Sequence, residues 1–185
     1  MDHHTTLQTI LDTDLRRSRI IDIVQSLDLP DCWVAAGFVR NAVWDHCHAR
    51  PAGPPEGDVD VVWFDPDRAT ASADRMLEAK LQALDPAIDW SVKNQARMHL
   101  RNADAPYESA THAMLGWPET ATAVAVRRTA QASLEIAAPF GLDDLFALVL
   151  RPTPRFAGDK HDIYLSRIAA RQWLTKWPRL RTQPA

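Results

Sequence analysis

Residues 58–64, Asp-Val-Asp-Val-Val-Trp-Phe, are β-branched and aromatic apart from two aspartates, and they stop at Asp65-Pro66. Such a run reads as a β-strand ended by a proline turn. Side chains alternate across a strand, so Asp58, Asp60, Val62 and Phe64 share one face and Val59, Val61 and Trp63 the other. Two carboxylates therefore stand side by side at the head of an apolar strand, their Cα atoms roughly 7 Å apart. Left alone, the two charges repel and lose solvation. A shared divalent cation relieves both costs, and Mg²⁺ takes one or two carboxylates together with substrate phosphates and water. A pair of cations roughly 4 Å apart would stabilise the attacking and leaving oxygens of an in-line phosphoryl displacement.

The rest of the chain alternates helical and strand patterns. A helix pair is expected from about Thr5 to Leu29, with Asp12, Thr13 or Asp14 capping the second helix and Pro30 ending it. Cys32 to Ala36 reads as a buried strand, Gly37 as a break, and Val39 to His48 as a helix. Residues 50–57, Arg-Pro-Ala-Gly-Pro-Pro-Glu-Gly, must be a loop. Asp67 or Thr70 opens a helix to about Leu84, and Ile88 to Val92 is a short strand. Beyond it, Ser109 to Leu115 and Leu142 to Leu150 read as helices, Ala121 to Val126 and Leu134 to Ala138 as strands. A final helix from about Asp159 to Trp177 carries Leu165, Ile168, Ala169, Trp173 and Trp177 as its apolar stripe. Interleaved elements favour an α/β or α+β fold.

A chain of 185 residues suits a single domain, here a core of about residues 15–150 with a basic, tryptophan-containing helical tail, 151–185, packed on it. The net charge of -3 conceals an asymmetry: the tail holds eight Arg or Lys against two Asp, which leaves -9 on the first 150 residues. With 46% apolar and 24% charged residues the composition is that of a globular protein, and no apolar run approaches the roughly 20 residues of a membrane span. The N-terminal Met-Asp-His-His-Thr-Thr lacks the basic and apolar order of a secretory signal, so a cytoplasmic location is expected. Cys32 and Cys47 read as reduced thiols, and His46-Cys47-His48 lacks the spacing of a closed zinc site.

The glycine turn supplies the other half of a phosphate-handling site. Gly37, between strand and helix, lets backbone approach an anion at a helix N-terminus, and Arg40 one turn later offers a bidentate fork. Together, Ala-Ala-Gly-Phe-Val-Arg-Asn-Ala-Val-Trp-Asp (35–45) and Asp-Val-Asp-Val-Val-Trp-Phe-Asp (58–65) resemble the nucleotidyltransferase superfamily that includes DNA polymerase beta. The first stretch is similar to the GGxVRDxLLG pattern of tRNA nucleotidyltransferases and bacterial poly(A) polymerases. Val92 to His99, Ala138 to Phe146 and the segment around Trp173 and Trp177-Pro178 extend the likeness, to small bacterial nucleotidyltransferase-like proteins, over most of the chain.

That resemblance implies a short mixed β-sheet flanked by helices, a nucleoside triphosphate, and Mg²⁺ or Mn²⁺. It implies metal-binding and catalytic roles for Asp58 and Asp60 and a nucleotide cradle at Gly37, Phe38, Arg40 and Asn41. Ala36 stands where the pattern has its first glycine and Asn41 where it has an aspartate, which leaves the phosphate geometry open. The superfamily also has a third carboxylate on a neighbouring strand. Asp89 is the first candidate for that metal-binding and catalytic position and Asp65 the fallback; a solvated edge residue is the equal alternative for Asp89. Lys93, Asn94, Gln95, Arg97 and His99 either line the nucleotide cleft or form a solvated turn. The expected activity is transfer of a nucleoside monophosphate to a hydroxyl of a small molecule, protein or RNA, with a non-catalytic nucleotide- or partner-binding protein as the alternative. Arg167 and Arg171 read more simply as a charged solvent face than as a guide for RNA, and neither a stable nucleic-acid complex nor a membrane partner is expected.

Overall fold

In the computed structural model, which describes residues 2–184, the chain starts with two helices, α1 (His3–Thr13) and α2 (Leu15–Gln25). Asp14 separates them, and its carboxylate accepts from the amides of Arg16 and Arg17 to start α2. β1 (Trp33–Ala35) then leads through Ala36 into α3 (Gly37–Cys47), and the proline-rich loop connects α3 to β2 (Val59–Trp63). Thr70 caps α4 (Ala71–Leu84), which crosses over to β3 (Trp90–Asn94). Two short helices, α5 (Met98–Asn102) and α6 (Ala110–Met114), precede the hairpin of β4 (Ala125–Arg128) and β5 (Leu134–Ala137). The chain ends with α7 (Asp143–Phe146), β6 (Val149–Leu150), α8 (His161–Arg171), α9 (Trp173–Lys176) and β7 (Arg181–Thr182).

The strands form a mixed sheet of order β3-β2-β1-β4-β5, with a separate parallel pair of β6 and β7. β1 runs antiparallel to both β2 and β4, whereas β2 and β3 are parallel, an arrangement that requires a crossover such as α4. Val34, Val59, Val61, Trp63, Val92 and Val126 turn one sheet face into the larger core, beneath the helices α1 to α4. Trp33, Ala35, Val62 and Ala125 line the other face in a smaller cluster with Ala110 and Met114 of α6. Asp74, only 2% exposed, ties the crossover together by accepting from Trp63 Nε1 (3.0 Å), the Asn94 amide (2.9 Å) and Arg97 Nε (2.9 Å). The expected fold, a mixed sheet flanked by helices, is therefore the observed one.

Several boundaries differ from the sequence expectation, each for a local reason. β3 begins at Trp90 instead of Ile88, because residues 85–89 form a turn held by Asp85, which accepts from the Ala87 amide and from Trp90 Nε1. The expected helix from Leu142 to Leu150 is only α7, since Leu148 takes a left-handed φ of 58° and the next two residues pair with β7. Residues 120–122 are a 3₁₀ turn, so the strand expected from Ala121 starts at Ala125. Gln172, with φ 51°, splits the expected final helix into α8 and α9. α8 buries Tyr164 and Ile168 and leaves Leu165 49% exposed, and after the split both Trp173 and Trp177 stand edge-on against Trp44 of α3, with centroids 5.7 and 5.0 Å away.

Ala36 adopts φ 55°, ψ -121°, a backbone region that favours glycine, while its amide donates to Val124 O at 2.9 Å. Backbone strain of this kind costs about 1–3 kcal/mol, partly offset by the lower unfolded-state entropy of alanine. Ala36→Gly is expected to stabilise the protein by about 1 kcal/mol. The check is chemical denaturation: the midpoint should rise with the slope unchanged, and a fall would show that the turn is not strained.

Candidate active site

Because Val59, Val61 and Trp63 are committed to the larger core, Asp60 must leave β2 on the opposite face. Its cross-strand neighbours are Ala35 on one side and Ser91 on the other, both small, so space remains above the carboxylate. Asp58, just ahead of the strand, is exposed, and Asp60 is half-buried. Burial first, and the neighbouring Asp58 charge second, push the Asp60 carboxyl up to about 6, against the pull of Arg167, Arg40 and Lys93. Two carboxylates with this mutual strain are a donor set suited to a hard divalent cation.

Facing them is the start of α3, where no side chain caps the helix and the first-turn amides are left to an incoming anion. Gly37 and Asn41 line the same cleft, which has a volume of about 210 Å³. Its remaining wall comes from Glu56 and Gly57 of the proline-rich loop and from Arg167, Arg171, Trp173, Lys176 and Trp177 of the tail. Arg40 lies at the bottom, 5% exposed, with its guanidinium 4.8 Å from the Trp44 ring and 4.3 Å from that of Trp173. Its terminal nitrogens donate to Thr122 Oγ1 and Asn41 Oδ1, each at 2.9 Å. Burial lowers the Arg40 pKa to about 9, and the nearby Glu119 opposes that shift.

The structure thus brings Asp58, Asp60, Gly37, Arg40 and Asn41 together. Phe38 goes elsewhere: its ring is 2% exposed in the larger core, leaving only its backbone near the cleft. Lys93 folds around the edge of β3 to pair with Glu78 at 2.9 Å and is not part of the cleft wall. Asp89 sits exposed in the turn before β3, where its carbonyl accepts from the Val59 amide. Among the described residues no group of three or more His, Cys, Asp or Glu is placed to hold a metal, and Asp89 is not among the residues that line the cleft. The fallback, Asp65, is occupied in capping the following 3₁₀ turn and pairing with Arg68 at 2.6 Å.

Sequence reasoning missed the contribution of α8 and α9 to the cleft. The spacing of Arg167 and Arg171, one turn apart, was the available signal. It also missed Glu119, which is fully buried behind the cleft and accepts from Arg167 Nε at 2.8 Å. A larger cavity of about 440 Å³ lies between α2 and β4, but burial pushes its Cys32 thiol up to about 12, which makes the thiol a poor nucleophile. Among the described residues no helix is long and apolar enough to cross a membrane.

A family model described as nucleotidyltransferase matches residues 22–182. Among solved structures, an NMR structure described as revealing a CCA-adding enzyme head domain is 33% identical, with a TM-score of 0.86 over 98% of this chain and 96% of that one. A CCA-adding enzyme in complex with CTP is 15% identical, with a TM-score of 0.58 over 99% of this chain and 43% of that one. A complex with ATP gives 14%, 0.54, 96% and 42%. The chain spans less than half the length of these last two, and at such identity the likeness is one of fold. No curated protein matches.

The raised Asp60 pKa has a measurable consequence. Without a cation, the folded state holds a proton between pH about 4 and about 6 that the unfolded chain has released, so this group's contribution to stability falls as pH rises through that window. A cation that binds the ionised pair should therefore stabilise the wild type little at pH 5 and more at pH 7. Thermal unfolding with and without MgCl₂, compared with Asp60→Asn, checks this. A Mg²⁺ effect that is independent of pH or survives in Asp60→Asn contradicts it.

Proposed function

Since the chain belongs to the nucleotidyltransferase family and is a transferase, we propose that it moves a nucleoside monophosphate from a nucleoside triphosphate to a hydroxyl acceptor in a metal-dependent reaction. The observation that carries this reading is the Asp58 and Asp60 pair, set across one cleft from the uncapped start of α3. Asp58 and Asp60 would hold Mg²⁺ or Mn²⁺, and the amides at Gly37 and Phe38 would donate to phosphate oxygens, so Phe38 would act through its backbone. When bound, the cation neutralises phosphate charge and favours departure of pyrophosphate. Arg40 and Asn41 form the floor of the phosphate site. The acceptor oxygen bonds to the α-phosphorus as the bond to the bridging oxygen breaks, pyrophosphate leaves with that oxygen, and the hydroxyl proton passes to water. Trp173 and Trp177, packed on Trp44, join the tail to the cleft, so we take the tail and the core as one catalytic unit.

The position of Asp89 outside the cleft favours one further reading, a protein that binds the nucleotide without turning it over. Incubation with each labelled triphosphate and Mg²⁺ or Mn²⁺, followed by measurement of released pyrophosphate and of label on the protein or added acceptors, separates the two. The enzyme reading expects turnover that falls by about 100-fold or more in Asp58→Ala and in Asp60→Ala. Nucleotide binding without turnover, indifferent to both changes, supports the binder.

A further inference from the structure

The cleft has four cations, and in two of them the terminal nitrogens already have partners. Arg40 spends both terminal nitrogens on Thr122 and Asn41 between two indole rings, and Lys176 is paired with Glu56. Arg167 and Arg171 differ. They stand one turn apart on α8, and both line the cleft. Like charges at this spacing repel.

Arg167 is anchored from behind. Its Nε donates to Glu119 Oε1, and among the described residues neither of its terminal nitrogens has a hydrogen-bonded partner. The Glu119 side chain is fully buried and its other oxygen, Oε2, is unpartnered. A buried carboxylate held by one arginine is a weak stabilising device. It does, however, fix the direction of the guanidinium, leaving two nitrogens for a ligand. Arg167 lines the same cleft as Asp58 and Asp60, so its free nitrogens are available on the side of the carboxylate pair. The cleft's four cations face the three carboxylates of Glu56, Asp58 and Asp60, with Glu119 balancing the set from behind. A divalent cation on the aspartates therefore leaves a positive surplus that a polyphosphate offsets.

We infer that Arg167 and Arg171 bind the phosphate chain of the nucleotide, that Glu119 is the positioning residue that aims Arg167, and that Arg40 is a packing element of the floor. This rests on the nucleotidyl-transfer reading and names the residues on which its substrate affinity depends. Planar guanidinium geometry matters at such a site, so lysine does not substitute for Arg167.

The test measures calorimetric binding of Mg²⁺-tripolyphosphate and Mg²⁺-ATP to the wild type, Arg167→Ala, Arg167→Lys, Arg171→Ala and Glu119→Gln, with KM and kcat for the triphosphate that is turned over. Arg171 is exposed and Glu119→Gln keeps an acceptor for Nε, so these variants separate binding from folding, which thermal unfolding monitors. Loss of each arginine should weaken tripolyphosphate binding by about 10- to 100-fold and raise KM more than it lowers kcat. Glu119→Gln should weaken it less than Arg167→Ala does. Unchanged binding and KM in folded arginine variants, with the wild type active, overturns the inference and leaves the proposed function standing. Loss of acceptor binding alone also overturns it, in favour of an acceptor site. A wild type that binds no triphosphate overturns the proposed function and this inference with it.

Discussion

β2 is hydrogen-bonded on both edges, to β1 in antiparallel and to β3 in parallel fashion, and the site depends on that double pairing. A slip of one residue would turn Val59, Val61 and Trp63 toward the cleft and drive Asp60 into the core. Neither change is tolerable, because a buried unpaired carboxylate and an exposed indole are both costly. Trp63 adds a lock by donating to the buried Asp74, which also binds the end of β3 and Arg97. The register that positions Asp60 is thus held by backbone pairing, apolar burial and one buried polar junction together.

The cleft assembled around this strand is electrostatically tense. Asp60 is held partly out of water beside Asp58, Arg40 is sealed between Trp44 and Trp173, and Glu119 is buried with one oxygen unpaired. Such groups destabilise a fold unless something else holds them in place. Here the three-tryptophan contact between α3 and the tail does so, reinforced by Trp177 Nε1 donating to Asp45 Oδ1 at 2.8 Å. The left-handed residue Gln172 is what allows both tryptophans to reach Trp44. Charges fixed in advance and partly desolvated need little rearrangement when a cation and a phosphate arrive.

Much of this was legible in the sequence, because the signals were local. Alternation along residues 58–64 gives β2 and its two faces, and the apolar run before Gly37 gives β1 and the start of α3. Asp14 and Thr70 were among the residues expected to open their helices, and both do. Most of what failed depended on contacts between distant segments or, at Leu148 and Gln172, on left-handed turns without glycine. Asp89 precedes β3 instead of lying within it, because Asp85 and Trp90 close a turn that alternation alone does not reveal. Lys93 is drawn away by Glu78, a residue on another element. Arg40 has the position of a phosphate fork, but its burial follows from Trp173, supplied by the tail. Arg167 and Arg171 resemble a solvent face until the break at Gln172 places α8 along the cleft.

The central claim is that Asp58 and Asp60 hold a divalent cation against the phosphates of a nucleotide. Crystals soaked with Mn²⁺ and a non-hydrolysable nucleoside triphosphate test it most directly, through anomalous difference density. The account expects a manganese peak in contact with both carboxylates, with phosphate oxygens on its far side toward the start of α3. Nucleotide bound in the cleft with no manganese at Asp58 and Asp60 would contradict it.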